Sequence, residues 1–362
     1  MNKEIRFSLL SEEEEPRLME AIVDIMQEND AHNLSNFDIN YWKWQYKSLP
    51  SGKANVYVGK DDNKTILTYY HIPFYKGKWN ETTTLYAMIQ DVAVSNQLRG
   101  LGIFRKIATY ANQHIDEEDT KVIYTFPNHR SIHTFLKYND FRLLNCMDAF
   151  MMPVNTATLI RSKMNLRGIE KIIGGIFDFC YKIFFVRADK KASVQRIDAI
   201  SQEVADLYAA FGRKFKYGLI KDQAYLDWRF IRKPKQQNFI YTISGRDARV
   251  KAVVFLKKDK IKGIPCLLLM DYAYADGGEN YFLQLLTHLR NNNKKYFEGK
   301  AGLLYTSMNA EITSRFGKIG LFRLPQKVNP RPLNLLVRAN DADNDIYEKK
   351  NWQVTLCDWD VF

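Results

Sequence analysis

The sequence predicts a duplicated α/β domain, and three blocks of self-similarity predict it. Tyr41, Trp44, Tyr46 and Pro50 follow the pattern Y-x-x-W-x-[aromatic]-x-x-x-P, and Tyr225, Trp228, Phe230 and Pro234 repeat it 184 residues later. Residues 88–94 (MIQDVAV) align with 268–274 (LLLMDYAY from 267) at a shift of 180, which sets Asp91 over Asp271. Tyr124, Thr125, Asn128, Phe135, Lys137, Phe141, Arg142 and Leu143 align with Tyr305, Thr306, Asn309, Phe316, Lys318, Phe322, Arg323 and Leu324 at a shift of 181. Blocks in one order at a nearly constant shift are the signature of a repeat, with its junction inside residues 153–195. A length of 362 residues also fits two domains.

Within the first copy the elements follow from local chemistry. Met1 to Leu10 alternates like a strand. Ser11 before four glutamates is an N-cap with acids in the first turn, so a helix runs to about Asn29. Phe37 to Ser48 reads as an aromatic helix stopped by Pro50 and Gly52. Residues 55–60, 65–75 and 83–95 are β-branched and aromatic, with turns at 61–63 and at Gly77. A helix over 100–115, a strand over 122–126, a short helix over 131–139 and a strand over 141–152 complete the order β-α-α-β-β-β-α-β-α-β. The second copy repeats it from about residue 195, and 327–362 adds a strand-and-helix segment.

Composition bounds the function. Hydrophobic residues make up 46% and aromatics 14%, enough for a core in each copy. Cys146, Cys180, Cys266 and Cys357 form no C-x-x-C pair and have no histidine at ligand spacing, so thiols of a reducing compartment and no metal are expected. No signal-peptide layout and no run of ~18 apolar residues occurs, and a cytoplasmic location is expected. The net charge of +12 favours acidic partners. Nucleic acid is the weakest of these, for want of a zinc pattern, a helix-turn-helix signature or a basic stripe.

The chemistry concentrates in residues 90–108. A strand runs into a glycine-containing turn and then a helix. Gly100 and Gly102 let backbone approach a ligand, and the amides of Leu98 to Ile103 open the helix, a ready place for phosphate. Arg99 and Arg105 add positive charge. An ordinary strand-to-helix turn has the same outline, so the context decides.

Here the sequence resembles the GNAT acetyltransferase superfamily. Its cofactor loop, [Q/R]-x-x-G-x-[G/A], is met in full by Gln97, Leu98, Arg99, Gly100, Leu101 and Gly102 after a V-A-V strand. Its later strand, asparagine and short helix are matched by Ile123 to Phe126, Asn128, Phe135, Lys137 and Phe141. The resemblance covers about residues 3–152 in order, and through the repeat most of the chain. It implies tandem domains of the α/β (α+β) class, each a mixed, mostly antiparallel central sheet flanked by helices. It divides the chain into a cofactor-binding domain (1–153), a basic amphipathic linker (154–194) and a second domain lacking the loop (195–362). It implies acetyl-CoA, or another acyl-CoA, as cosubstrate, with the pyrophosphate on the amides of Leu98 to Ile103. The pantetheine would lie along Asp91, Val92, Ala93 and Val94, with Asn128 near the cofactor. An amine would attack the acyl carbonyl directly.

Many members carry a tyrosine acid where this chain has Phe135; Tyr138, one turn on, is the candidate replacement. Asp91 is the candidate base, and Gln90 and Trp44 are expected on the acceptor side, although large aromatics at helical spacing usually bury. In the second copy the turn reads A-D-G-G-E-N-Y-F, and Asp276 and Glu279 would repel phosphate. The linker sets Arg161, Lys163, Arg167, Lys171, Lys182 and Arg187 around Ile172, Ile173, Ile176, Phe177, Phe184 and Phe185. A linker helix packed across the two domains is the preferred reading over a helix lying on an anionic membrane. The leading function is acetylation of a small-molecule amine. The W-x-W, Y-L-x-W-R-F and closing C-D-W-D-V-F motifs resemble bacterial tandem proteins of surface-polysaccharide synthesis, hence an amino-sugar acceptor. Rivals are aminoacyl transfer of the peptidoglycan-bridge type and a non-catalytic CoA-binding module. A monomer and a homodimer are both compatible with the sequence.

Overall fold

A computed structural model describes residues 4–30, 38–116, 120–164, 168–185, 193–235, 238–309, 313–340 and 344–359. Phe37, Arg167, Arg187 and the closing residues 360–362 of the sequence motifs lie outside them. The strands and helices are, in chain order, β1 (Arg6–Leu9), α1 (Glu15–Asp30), α2 (Ile39–Lys47), β2 (Ala54–Lys60), β3 (Ile66–Trp79), β4 (Thr82–Val94), α3 (Ile103–Asp116), β5 (Thr120–Thr125), α4 (Ile132–Tyr138), β6 (Arg142–Cys146), β7 (Asp148–Pro153), α5 (Thr156–Arg161) and α6 (Ile169–Phe184). There follow β8 (Ser193–Ile197), α7 (Gln202–Gly212), β9 (Tyr217–Leu219), α8 (Gln223–Leu226), β10 (Asn238–Ser244), β11 (Val250–Ile261), β12 (Ile264–Tyr274), α9 (Glu279–Asn291), α10 (Asn293–Phe297), β13 (Leu303–Met308), α11 (Thr313–Phe316), β14 (Phe322–Arg323), β15 (Asn334–Ala339) and β16 (Trp352–Gln353).

Two compact units emerge, Met1–Cys146 with Leu333–Lys349, and Met147–Pro332 with Lys350–Phe362. The first unit's sheet has the order β1-β2-β3-β4-β5-β15-β6, the second's β8-β10-β11-β12-β13-β7-β14. These are the same sheet. Along these two paths all neighbours are antiparallel except β4 with β5 and β12 with β13, and off the first path β9 and β16 pair in parallel.

The sheets also show where the expected domain boundaries depart from the structure. The strand expected over 141–152 breaks at Met147. Its first part, β6, stays in the first unit; its second part, β7, pairs with β13 and β14 of the second. Conversely β15, part of the expected terminal segment, sits between β5 and β6. Each sheet thus takes its penultimate strand from the other copy of the repeat. Among the described residues no helix of α type follows β15; the chain there makes short 3-10 turns and β16. Gly77 is not a turn either. It lies inside β3, where a Cβ would come within 2.1 Å of the Tyr86 ring, so the glycine admits that ring and the turn comes after Trp79.

In the first unit, alternation along the strands sends side chains to two faces. Tyr57, Tyr70, Ile72 and Phe74 meet the stripe Ile107, Ala108, Ala111 and Ile115 of α3. Val56, Val58, Ile66 and Tyr69 meet Leu18, Ile22 and Ile25 of α1 and Trp42 and Tyr46 of α2. α3 therefore starts at the sheet end where β4 stops.

Candidate functional site

The loop between β4 and α3 leaves its backbone open at a helix N-terminus. Gly100 and Gly102 have φ of +78° and +69°, a left-handed conformation that a side chain disfavours. A Cβ on either would meet nothing within 4 Å, so the backbone there stands open. Leu98, Arg99 and Leu101 donate their N–H groups to Ser95, Asn96 and Leu98. The N–H groups of Gly100, Gly102, Ile103, Phe104 and Arg105 have no acceptor among the described residues. These are the orphan donors of a helix N-terminus, where partial positive charge collects. The set is narrower at Leu98 to Leu101 than expected, and extends two residues further into α3.

The end of α1 braces the loop. Glu28 accepts from Asn96 N at 2.7 Å and from Ser95 Oγ at 2.9 Å. Asn29 donates to the Val94 carbonyl at 3.3 Å and accepts from the Arg99 guanidinium. Arg99 is therefore held against α1. Leu98 is buried with Leu67 and Ile103, anchoring the loop from below, while Leu101 is exposed. Gln97 is exposed on the short 3-10 turn before it.

Upstream, β4 carries a bulge. The register with β3 passes from Tyr70↔Val92 to His71↔Gln90, which leaves Asp91 as the extra residue, at φ +44°. Pairing with β5 ends at Ile89↔Thr125, so from Gln90 onward one edge of β4 has no neighbouring strand among the described residues. The half-buried Val92, Ala93 and Val94 line that stretch. Bulge, free edge and open amides follow one another along a dozen residues.

The bulge exposes Asp91 and gives it a defined environment. Tyr46 from α2 donates its hydroxyl to the Asp91 carboxylate, and Gln90 Nε2 donates to the same hydroxyl at 3.0 Å. His71 lies against the Tyr46 ring, centroids 4.4 Å apart. Trp42 Nε1 is 3.0 Å from His71 Nε2, and His71 Nδ1 is 3.0 Å from the Asp91 carbonyl. An indole N–H only donates, so Nε2 must accept and Nδ1 must carry the proton. That tautomer is neutral, in keeping with the burial that lowers the His71 pKa. The histidine fixes the bulge by holding its carbonyl; the carboxylate is left to face outward.

A pH dependence follows. With the folded pKa below the ordinary 6.5, the unfolded chain binds the extra proton as pH falls. This part of the stability is complete above about pH 6.5 and is lost below it, at up to ~1.4 kcal/mol per pH unit. Urea unfolding at pH 7.5, 6.0 and 5.5 should show that slope, and His71→Gln should lack it. Equal slopes in both proteins would refute the assignment.

The other expected residues are placed as follows. Trp44 is buried, 5% exposed, its ring 5.3 Å from that of Tyr41. Gln90 is buried and its Oε1 has no partner. Asn128 closes the turn that precedes α4, its Oδ1 accepting from Arg130 N at 2.9 Å and Ser131 N at 3.1 Å. Phe135 is core, packed on Phe104 and Phe141. Tyr138 is 43% exposed, with the Arg105 guanidinium 4.6 Å above its ring. The structure thus brings Asp91 together with Gln90, and Tyr138 together with the start of α3. Tyr46, Trp42 and His71 were missing from the expected site. The aromatic motif had marked their helix, but nothing near His71 in the sequence marks it.

The second unit answers each feature differently. Asp271, the counterpart of Asp91, is fully buried. Lys221 Nζ lies 2.8 Å from Asp271 and 3.1 Å from Asp358. Thr355 Oγ1 donates to Asp271 at 3.0 Å, and Cys357 Sγ approaches it at 3.1 Å. Where the first copy has Val92 and Val94, the second has Tyr272 and Tyr274, stacked on Phe282 of α9. Asp276 and Glu279 at the start of α9 are paired with Lys214 and Arg315. The described residues include no group of three or more potential metal ligands and no helix long and apolar enough to cross a membrane.

No family model and no curated protein matches the sequence. Solved structures do match the fold. A conserved protein of unknown function from Enterococcus faecalis, described as a probable N-acyltransferase, superposes with a TM-score of 0.63 at 10% identity, over 93% of this chain and 73% of that one. A GCN5-related N-acetyltransferase from Anabaena variabilis gives the same values. Saccharomyces cerevisiae N-myristoyltransferase with bound myristoyl-CoA matches at TM-score 0.58 and 11% identity, over 98% of this chain and 89% of that one. The chain carries the fold of these acyltransferases in both units.

Proposed function

We propose that the chain is an acyl-CoA-dependent N-acyltransferase whose first unit holds the cosubstrate, acetyl-CoA, and whose second unit is not catalytic. One observation carries this reading: the five unpaired N–H groups at the α3 N-terminus stand at the end of a strand edge opened by the Asp91 bulge. The residues fit the group. The pyrophosphate of CoA would take the amides of Gly100 and of Gly102 to Arg105, and the pantetheine arm the free edge of Val92 to Val94.

The chemistry balances without a covalent enzyme intermediate. The amine nitrogen adds to the thioester carbonyl carbon; the C–N bond forms, the C–S bond breaks and the thiolate leaves. The ammonium of the acceptor must first lose a proton, and the exposed Asp91 carboxylate can accept it through water. Tyr138, next to Arg105, is the candidate to protonate the leaving thiolate, and the second proton shed by the nitrogen as the amide forms returns through water to its phenolate. An amino-sugar is the acceptor class we favour. The neighbour with bound myristoyl-CoA supports a fold able to serve longer acyl groups as well.

Calorimetric titration with acetyl-CoA tests this. The expected stoichiometry is about one per chain, followed by thiol release when amino-sugars are screened as acceptors. Two equivalents would overturn the inactive second unit; no binding would overturn the acyl-CoA reading itself.

A further inference from the structure

The helix expected to pack its apolar face as a linker does the reverse. α6 lies on the second unit through its polar side. Glu170 there pairs with Arg161 at 3.0 Å. Asp178 accepts from Thr156 Oγ1 at 2.8 Å and pairs with Arg290 at 3.4 Å. Tyr181 donates to the Ile319 carbonyl at 2.8 Å, with the Arg290 guanidinium 3.5 Å over its ring. Gly174 packs on α5 so closely that a Cβ would be 2.4 Å from Ala157 N.

The opposite side is apolar and bare. Ile169, Ile172, Ile176, Phe179 and Ile183 recur at alternating spacings of three and four, which aligns them on one stripe. Phe177 and Phe184 flank it. These seven side chains are between 51% and 79% exposed. Phe185 at the helix end touches the ring of Phe322, itself 49% exposed, so the patch continues onto β14. Soluble surfaces scatter such residues singly; a contiguous row of them marks something that covers it.

We infer that this face docks onto an anionic lipid surface. Charge decides the occupant. Both acids of α6 are turned inward and paired, while Lys171 and Lys182 are exposed. They lie eleven residues, about three turns, apart and so on the same flank of the stripe. A surface that combines an apolar stripe with cations and no outward acid complements anionic headgroups over acyl chains. A second copy of this chain would meet those lysines with lysines. The helix has 16 residues and is about 24 Å long. The same 24 Å is short of the ~30 Å hydrocarbon thickness, so the helix lies in the interface and does not span it.

Flotation of the full chain with vesicles tests the proposal. Binding to phosphatidylcholine vesicles containing about 30% phosphatidylglycerol should exceed binding to pure phosphatidylcholine at least tenfold. Ile172→Glu with Phe179→Glu should abolish it, and Lys171→Glu with Lys182→Glu should cut it about tenfold. All four positions are exposed, so circular dichroism and acetyl-CoA affinity should be unchanged, which separates this result from failure of the functional reading. Equal binding to neutral and anionic vesicles, or none to either, would overturn the inference. So would a dimer in sedimentation velocity that Ile172→Glu dissociates.

Discussion

Glutamate at Gly100 and Gly102 together should weaken acetyl-CoA binding at least a hundredfold while leaving the chain folded. Both glycines are exposed and a Cβ on either meets nothing, so the cost to folding is confined to the positive φ, about 1–2 kcal/mol per residue. The cost to binding is of another kind. Two carboxylates would stand over the N–H groups of Gly102 to Arg105, in the place proposed for the pyrophosphate and with its sign. A hundredfold change corresponds to about 2.7 kcal/mol, well within what like charges a few ångströms apart supply. Gly100→Ala with Gly102→Ala is the companion variant: it brings the same strain at both positions without charge and should lose affinity far less. Calorimetry on the two proteins, with circular dichroism as the control, reads the difference. A folded double-glutamate variant that binds acetyl-CoA within threefold of the parent would place the cofactor elsewhere.

Lys221→Met should destabilise the second unit by about 3–5 kcal/mol, the cost of leaving buried charge without its partner. Lys221 is 1% exposed at the side chain and Asp271 is fully buried. Burial raises the Asp358 pKa, with the Asp271 charge adding to the rise, and burial also disfavours charge on Lys221 until the two carboxylates restore it. The ammonium is therefore the counter-charge on which the cluster depends. Replacing Lys221 by Met and Asp271 by Asn together should recover part of the loss, because the double change removes charge of both signs. Urea unfolding of the single and double variants is the measurement. A Lys221→Met loss below about 1 kcal/mol would show that water reaches the cluster and that it carries little.

Together these variants contrast the two copies of one aspartate. In the first unit a bulge carries Asp91 out to the surface and Tyr46 binds it. In the second, Asp271 is sealed beneath Thr355, Cys357 and Asp358 and neutralised by Lys221. A carboxylate that water and substrate cannot reach has no proton to exchange with either. This supports the proposal that one copy of the repeat took the chemistry and the other a structural role.

The sequence by itself determined whatever depends on neighbours along the chain. The repeat, the mixed α/β order, the strand-to-glycine-turn-to-helix over residues 90–108 and the acids in the second copy's turn are local patterns, set by alternation, helical periodicity and the conformational freedom of Gly100 and Gly102. Tertiary structure decided whatever depends on which strand lies beside which. Residues 141–152 have one continuous β pattern, yet the chain changes sheets at Met147, because β-propensity does not encode a partner. Asp91 and Asp271 occupy the same place in the repeat, and only packing makes one exposed and the other buried. His71 sits in an ordinary strand and gains its role from an indole 29 residues before it and a carbonyl 20 residues after it. The apolar row on α6 was visible as amphipathicity, but periodicity gives the angle between two faces and not which of them is turned inward. That was settled by Glu170, Asp178 and Tyr181 finding partners on the second unit, which left the isoleucines and phenylalanines outside.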